Sequence, residues 1–134
     1  MAFIYKSKND ENVLTIPHFQ RLFDFHAYLM AYNNGQLYNQ DCYKILGLCI
    51  YPYHLVDLYK DMTGNPVFPG AISTDAQLVT SVNTGINANI GSSVTVGSLF
   101  GGTTPNPIEL DTATNQFNIQ EAKAIKCAYF LNVG

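Results

Sequence analysis

The chain has 134 residues, 47% of them apolar and only 13% charged, with a formal net charge of −3. A length of this order builds one domain that buries roughly two thirds of its unfolded surface. A charged share about half the usual one leaves that surface to Asn, Ser, Thr, Gln and Gly, or to another protein. Nothing cationic lies between Lys60 and Lys123, so the sequence lacks the clustered Lys and Arg with which proteins displace counterions from nucleic acid.

Residues 1–14 read as an N-terminal arm without the apolar run of an export signal. The expected site of synthesis is therefore a cytosol, and no stretch approaches the roughly eighteen apolar residues of a membrane span. Residues 15–64 read as a helical half. Thr15 is placed to cap a first helix with Pro17 in its first turn, and Phe19, Leu22, Phe23, His26, Leu29 and Met30 form its apolar stripe up to a stop at Asn33, Asn34 and Gly35. A second helix is expected after Asn39, with the stripe Cys42, Ile45, Leu46, Cys49 and Ile50, although Gly47 inside it costs about 1 kcal/mol relative to Ala. Pro52 opens a third, with Leu55, Leu58, Tyr59 and Met62 on one face and Gly64 at its end. Short connections favour a small antiparallel bundle.

Residues 65–118 are rich in Gly, Pro, Ser, Thr and Asn, and nearly free of charge. Thr74 and Gln77 match a capping box ahead of Leu78, Val82, Ile86 and Ile90, which predicts a helix; the Val and Thr content with Gly85 and Gly91 leaves a strand open. Alternation of Val94 and Val96 predicts a strand over 92–100, and Ile108 with Leu110 a second one. In residues 119–134, Asn118 and Glu121 suggest a capped helix over Ala122, Ile125, Ala128 and Tyr129, while alternation of Ile125, Cys127, Tyr129, Leu131 and Val133 suggests a strand. The expected fold class is α+β, with a three-helix N-terminal bundle followed by an extended segment and a terminal helix or strand.

No phosphate-cradling loop, GxGxxG, HExxH, GxSxG or CxxC pattern occurs. The nearest approach to a nucleophile and base is Cys49 with His54 and Asp57, which Pro52 interrupts. His18 and His26 lie two helical turns apart, about 12 Å, too far to share a metal. The expectation is therefore a non-enzyme with no cofactor or metal, and the three cysteines are expected as reduced, buried thiols.

Seven of the nine tyrosines fall between Tyr28 and Tyr59, and tyrosine is enriched at protein interfaces. Residues 66–118 resemble virion and fibre components in composition. That resemblance implies a structural or assembly role, as in a phage capsid accessory, head or tail protein, in a virion. The expected partners are other structural proteins or copies of the chain, with no nucleic acid or membrane. The expected contact residues are Tyr51, Tyr53, Tyr59, Phe68, Val94, Val96 and Phe100. A second reading is a binding module that holds a peptide or glycan through Tyr51, Tyr53 and Tyr59.

Overall fold

The computed structural model describes residues 2–32, 36, 40–49, 55–59, 67–89 and 93–128. Its elements are β1 (Ala2–Lys6), α1 (Ile16–Ala31), β2 (Lys44–Ile45), β3 (Leu48–Cys49), a 3-10 helix (Leu55–Tyr59), α2 (Asp75–Asn89), α3 (Ser93–Leu99), β4 (Phe100–Gly101) and β5 (Ala124–Ala128). The class is α+β. A three-stranded antiparallel sheet in the order β1-β5-β4 stands beside the helices, and β2 with β3 forms a separate hairpin.

The central strand of the sheet is the late one, β5. Ile125 pairs with Tyr5 on one side and with Phe100 on the other, so the two ends of the described chain are held in one ladder. Alternation decides its faces: Ile125 and Cys127 are buried and Lys126 is exposed. In β1 the same period sends Phe3 and Tyr5 against α1, where their rings meet Phe25 and His18 edge-on, and leaves Ile4 exposed.

Helix α1 contributes Phe19, Leu22, Phe23 and His26 to the core, the stripe its sequence predicts; Leu29 and Met30 are only half-buried. Its cap differs from expectation. Thr15 makes no side-chain cap bond, and the Ile16 amide instead donates to Asp75 Oδ1 at 2.9 Å. Asp75 opens α2, so one carboxylate sits at the positive ends of two helices.

Helix α2 buries Leu78, Val82, Asn83 and Ile86. At its start the Gln77 amide donates to Thr74 Oγ1 at 3.2 Å, and Gln77 Oε1 accepts from the Ser73 amide at 2.9 Å. The capping box is thus present, with its return arm reaching one residue further back than usual. Gly85 permits close approach of the 3-10 helix, because a Cβ there would stand 3.0 Å from Leu58 Cδ1.

Three expectations are corrected. Among the described residues of the helical half there is one α-helix instead of a bundle of three. Where the second was expected, the chain turns back as a hairpin, because Leu46 (φ 53°) and Gly47 (φ 80°) both take the left-handed conformation of a tight two-residue turn. Over 93–99 the expected strand is instead α3, with Val96 and Leu99 three residues apart and both buried, while Phe100 is extended as the first residue of β4. Ile108 and Leu110 lie in irregular chain, and the C-terminal alternatives resolve to the strand β5. The expected third helix is described only over Leu55–Tyr59, as the 3-10 helix, and expected features at 33–35, Asn39, Ile50, Pro52, Met62, Gly64, Ile90, Gly91 and 129–134 fall outside the described residues.

Candidate functional site

The residues expected to form a contact surface divide sharply. Val96 and Phe100 belong to the chain's own core, so neither offers surface while that core is intact. Tyr59 is half-buried; its ring stands edge-on to Phe19 and Phe23, and its hydroxyl shares a hydrogen bond with Ser81 Oγ at 3.0 Å. Burial raises the Tyr59 phenol above its ordinary pKa, against the opposing effect of the Ser81 hydrogen bond. Phe68 packs edge-on against Phe23, with ring centroids 5.7 Å apart. Tyr51 and Tyr53 lie outside the described residues, and Val94 is described by its backbone alone.

Among the described residues, large apolar side chains that face outward include Ile4, Val67 and Leu110, each alone, and three neighbours on the β2–β3 hairpin: Tyr43 is 47% exposed, Ile45 50% and Leu46 97%. Tyr43 and Ile45 are two residues apart in extended chain and so leave it on the same side. Leu46 stands at the tip, in a backbone conformation that costs a non-glycine residue roughly 1–2 kcal/mol. Cys42, beside the base of the hairpin, is disulfide-bonded, which corrects the expectation of reduced thiols there. A two-residue turn between paired strands therefore presents an apolar tip that the core does not use. Sequence reasoning missed this tip by reading Ile45 and Leu46 as a helical stripe; the available signal was Gly47, placed between two short runs of apolar residues.

A second outward group is Tyr28 and Tyr32, one helical turn apart at the end of α1, with ring centroids 5.9 Å apart. Their exposure places them off the stripe that faces the core.

The other arrangement missing from the sequence reading is polar. Asn83 and Asn87, one turn apart on α2, each grip the backbone of the extended segment 117–119. Asn83 Nδ2 donates to the Ile119 carbonyl at 2.8 Å while Asn83 Oδ1 accepts from the Ile119 amide at 2.7 Å. Asn87 repeats the pattern on Phe117 at 2.9 and 2.7 Å. Each side-chain amide thus supplies the donor and acceptor a neighbouring strand would supply, which lets Phe117 and Ile119 enter the core without orphaned backbone groups. An open groove of 780 Å³ lies between this face of α2 and residues 111–120, lined mainly by Asn, Gln, Thr and two aspartates.

The remaining nucleophile and base are internal. Cys127 Sγ is 3.4 Å from His26 Nε2 and both side chains are buried. Burial, with a smaller effect from the Asp57 carboxylate, pushes the Cys127 thiol up to about 12, the opposite of the depression a thiolate nucleophile needs. His54 lies outside the described residues, and Cys49 is described by its backbone alone, as part of β3. Among the described residues no three His, Cys, Asp or Glu come together as a metal cluster, and no helix is long and apolar enough to cross a membrane.

Compared with protein-family models, curated proteins and solved structures, the chain matches none.

Proposed function

We propose that the chain is a non-catalytic assembly protein whose copies associate through the apolar hairpin tip formed by Tyr43, Ile45 and Leu46. The observation that carries this reading is Leu46: a leucine 97% exposed, in a left-handed turn position that favours glycine or asparagine. Stability of the isolated chain gives no reason for that residue there, whereas insertion into an apolar cleft of a neighbour does. Low charge supports association, since few ionic groups must lose water as copies meet. The compositional resemblance of residues 66–118 to virion and fibre components supports a virion as the setting for such an assembly.

The test is sedimentation over a concentration series. The wild-type chain is expected to associate as concentration rises, and Leu46→Asp to weaken association by roughly 2 kcal/mol, about thirtyfold in dissociation constant, with an unchanged melting temperature. A wild-type chain that stays monomeric throughout the series overturns the reading.

A further inference from the structure

A pocket of 580 Å³ opens where the end of β1, the following turn and the start of α1 meet, and its lining includes Lys6, Lys8, Arg21 and His18, with Glu11 as its one carboxylate. Three of the seven Lys and Arg of an otherwise acidic chain therefore border one cavity. The walls that carry them are fixed by the fold. Register pairs Tyr5 with Ile125 and Lys6 with Ala124, which anchors the end of β1 to the central strand. In the turn, Ser7 Oγ accepts from the Asn9 amide at 3.2 Å, Asp10 takes a positive φ of 57°, and Lys123 Nζ donates to the Asp10 carbonyl at 2.8 Å.

The imidazole is held as firmly. Tyr5 Oη lies 2.8 Å from His18 Nδ1. In the tautomer in which the phenol donates to Nδ1, the ring proton sits on Nε2, and a protonated ring likewise leaves an Nε2 donor for a ligand. Lysine ammonium and arginine guanidinium groups are donors without acceptor capacity. The cationic part of the lining is therefore complementary to a group that only accepts, and cations from three segments suit an anion with several oxygens better than a carboxylate, which one arginine fork can satisfy.

We propose that this pocket binds a phosphate-bearing anion through Lys6, Lys8, Arg21 and His18. The site is independent of the hairpin tip and of self-association. Glu11 at its edge opposes the anion and tunes affinity downward.

The probe is inorganic pyrophosphate, titrated into the full chain at low salt, where screening is weakest, and followed by calorimetry and by backbone amide shifts. The expected result is saturable binding with shifts confined to residues 5–11 and 18–21. Lys8→Ala combined with Arg21→Ala weakens it by at least about tenfold, the equivalent of 1.4 kcal/mol. Both side chains are exposed, so the melting temperature holds. Tyr5→Phe removes no charge and leaves the ring in place, yet frees the imidazole, and is expected to weaken binding several-fold. Glu11→Gln is expected to tighten it. Absence of saturation, succinate binding as tightly as pyrophosphate, or a Tyr5→Phe variant that binds like wild type each overturns the proposal, the last because general attraction to surface cations needs no oriented histidine.

Discussion

The body of the molecule and its hairpin are held by different means. In the body, buried side chains fix the backbone: α1, α2, α3 and the sheet share one apolar cluster, and even the polar contacts of Asn83 lie within it. In the hairpin, none of residues 43–47 is buried, and shape comes from two left-handed residues and the pairing of β2 with β3. The cysteines divide in the same way, Cys42 in a covalent tie and Cys127 as a free thiol in the core. A region held by packing fails cooperatively when one buried group is disturbed. A region held by local geometry changes alone.

The largest expected effect tests the packed side of that contrast. Cys127 has a folded pKa raised from its ordinary 9.0 to about 12, chiefly by burial. Because the folded value is the higher one, the stability tied to the neutral thiol is fully present below about pH 9 and is lost as pH rises toward 12. The loss is on the order of 4 kcal/mol at its full extent. Chemical denaturation at stepped pH should show it, and Cys127→Ser, which keeps a donor facing His26 but does not titrate in that window, should reduce the alkaline loss. An unchanged alkaline profile in that variant would separate the thiol from core stability.

Next in size is Asn83→Ala, which leaves the buried Ile119 amide and carbonyl without partners and is expected to cost about 3 kcal/mol. The same substitution at Asn87, where the contact to Phe117 is only part-buried, is expected to cost less. Equal losses at the two positions would mean that the grip on segment 117–119 does not scale with burial. Asp75→Ala then removes the cap of α1 and the acidic start of α2 together, for about 1 kcal/mol in thermal unfolding. If the loss is negligible, the Ile16 amide finds water instead.

The same contrast explains what the sequence makes legible. The stripe Phe19, Leu22, Phe23 and His26 and the run Leu78, Val82 and Ile86 announce α1 and α2, because a helix face repeats within a few residues and Thr74 with Gln77 marks a start. The buried α3 pair Val96 and Leu99 is equally local but is masked by the alternation of Val94 and Val96. Asn118 and Glu121 imitate a capping box, yet the segment is extended, because its hydrogen-bond partners Asn83 and Asn87 lie 36 and 30 residues earlier in the chain. Asp75 caps α1 from 59 residues away. Long-range polar pairing leaves no periodic trace, and so the part of the candidate site legible in sequence was the excess of apolar and aromatic residues, without their placement. Val96 and Phe100 went to the core, and the exposed apolar residues include Tyr43, Ile45 and Leu46 instead.

The smallest effect bears on the hairpin and has two signs. Leu46→Asn places at φ 53° a residue that tolerates the left-handed region and creates the Asn-Gly pair preferred in such turns. Relief of strain should stabilise the hairpin by about 1 kcal/mol. The global melting temperature should barely move, because the core does not include the turn. Slower hydrogen exchange of amides in residues 44–49 would register the gain. The same substitution removes the apolar tip without adding charge, so association in the sedimentation series should weaken while the hairpin becomes more rigid. A leucine that serves contact at the expense of local stability produces that opposite pair of changes. If the variant stiffens the turn and associates as strongly as the wild type, the leucine has no part in contact and the hairpin is only a connection.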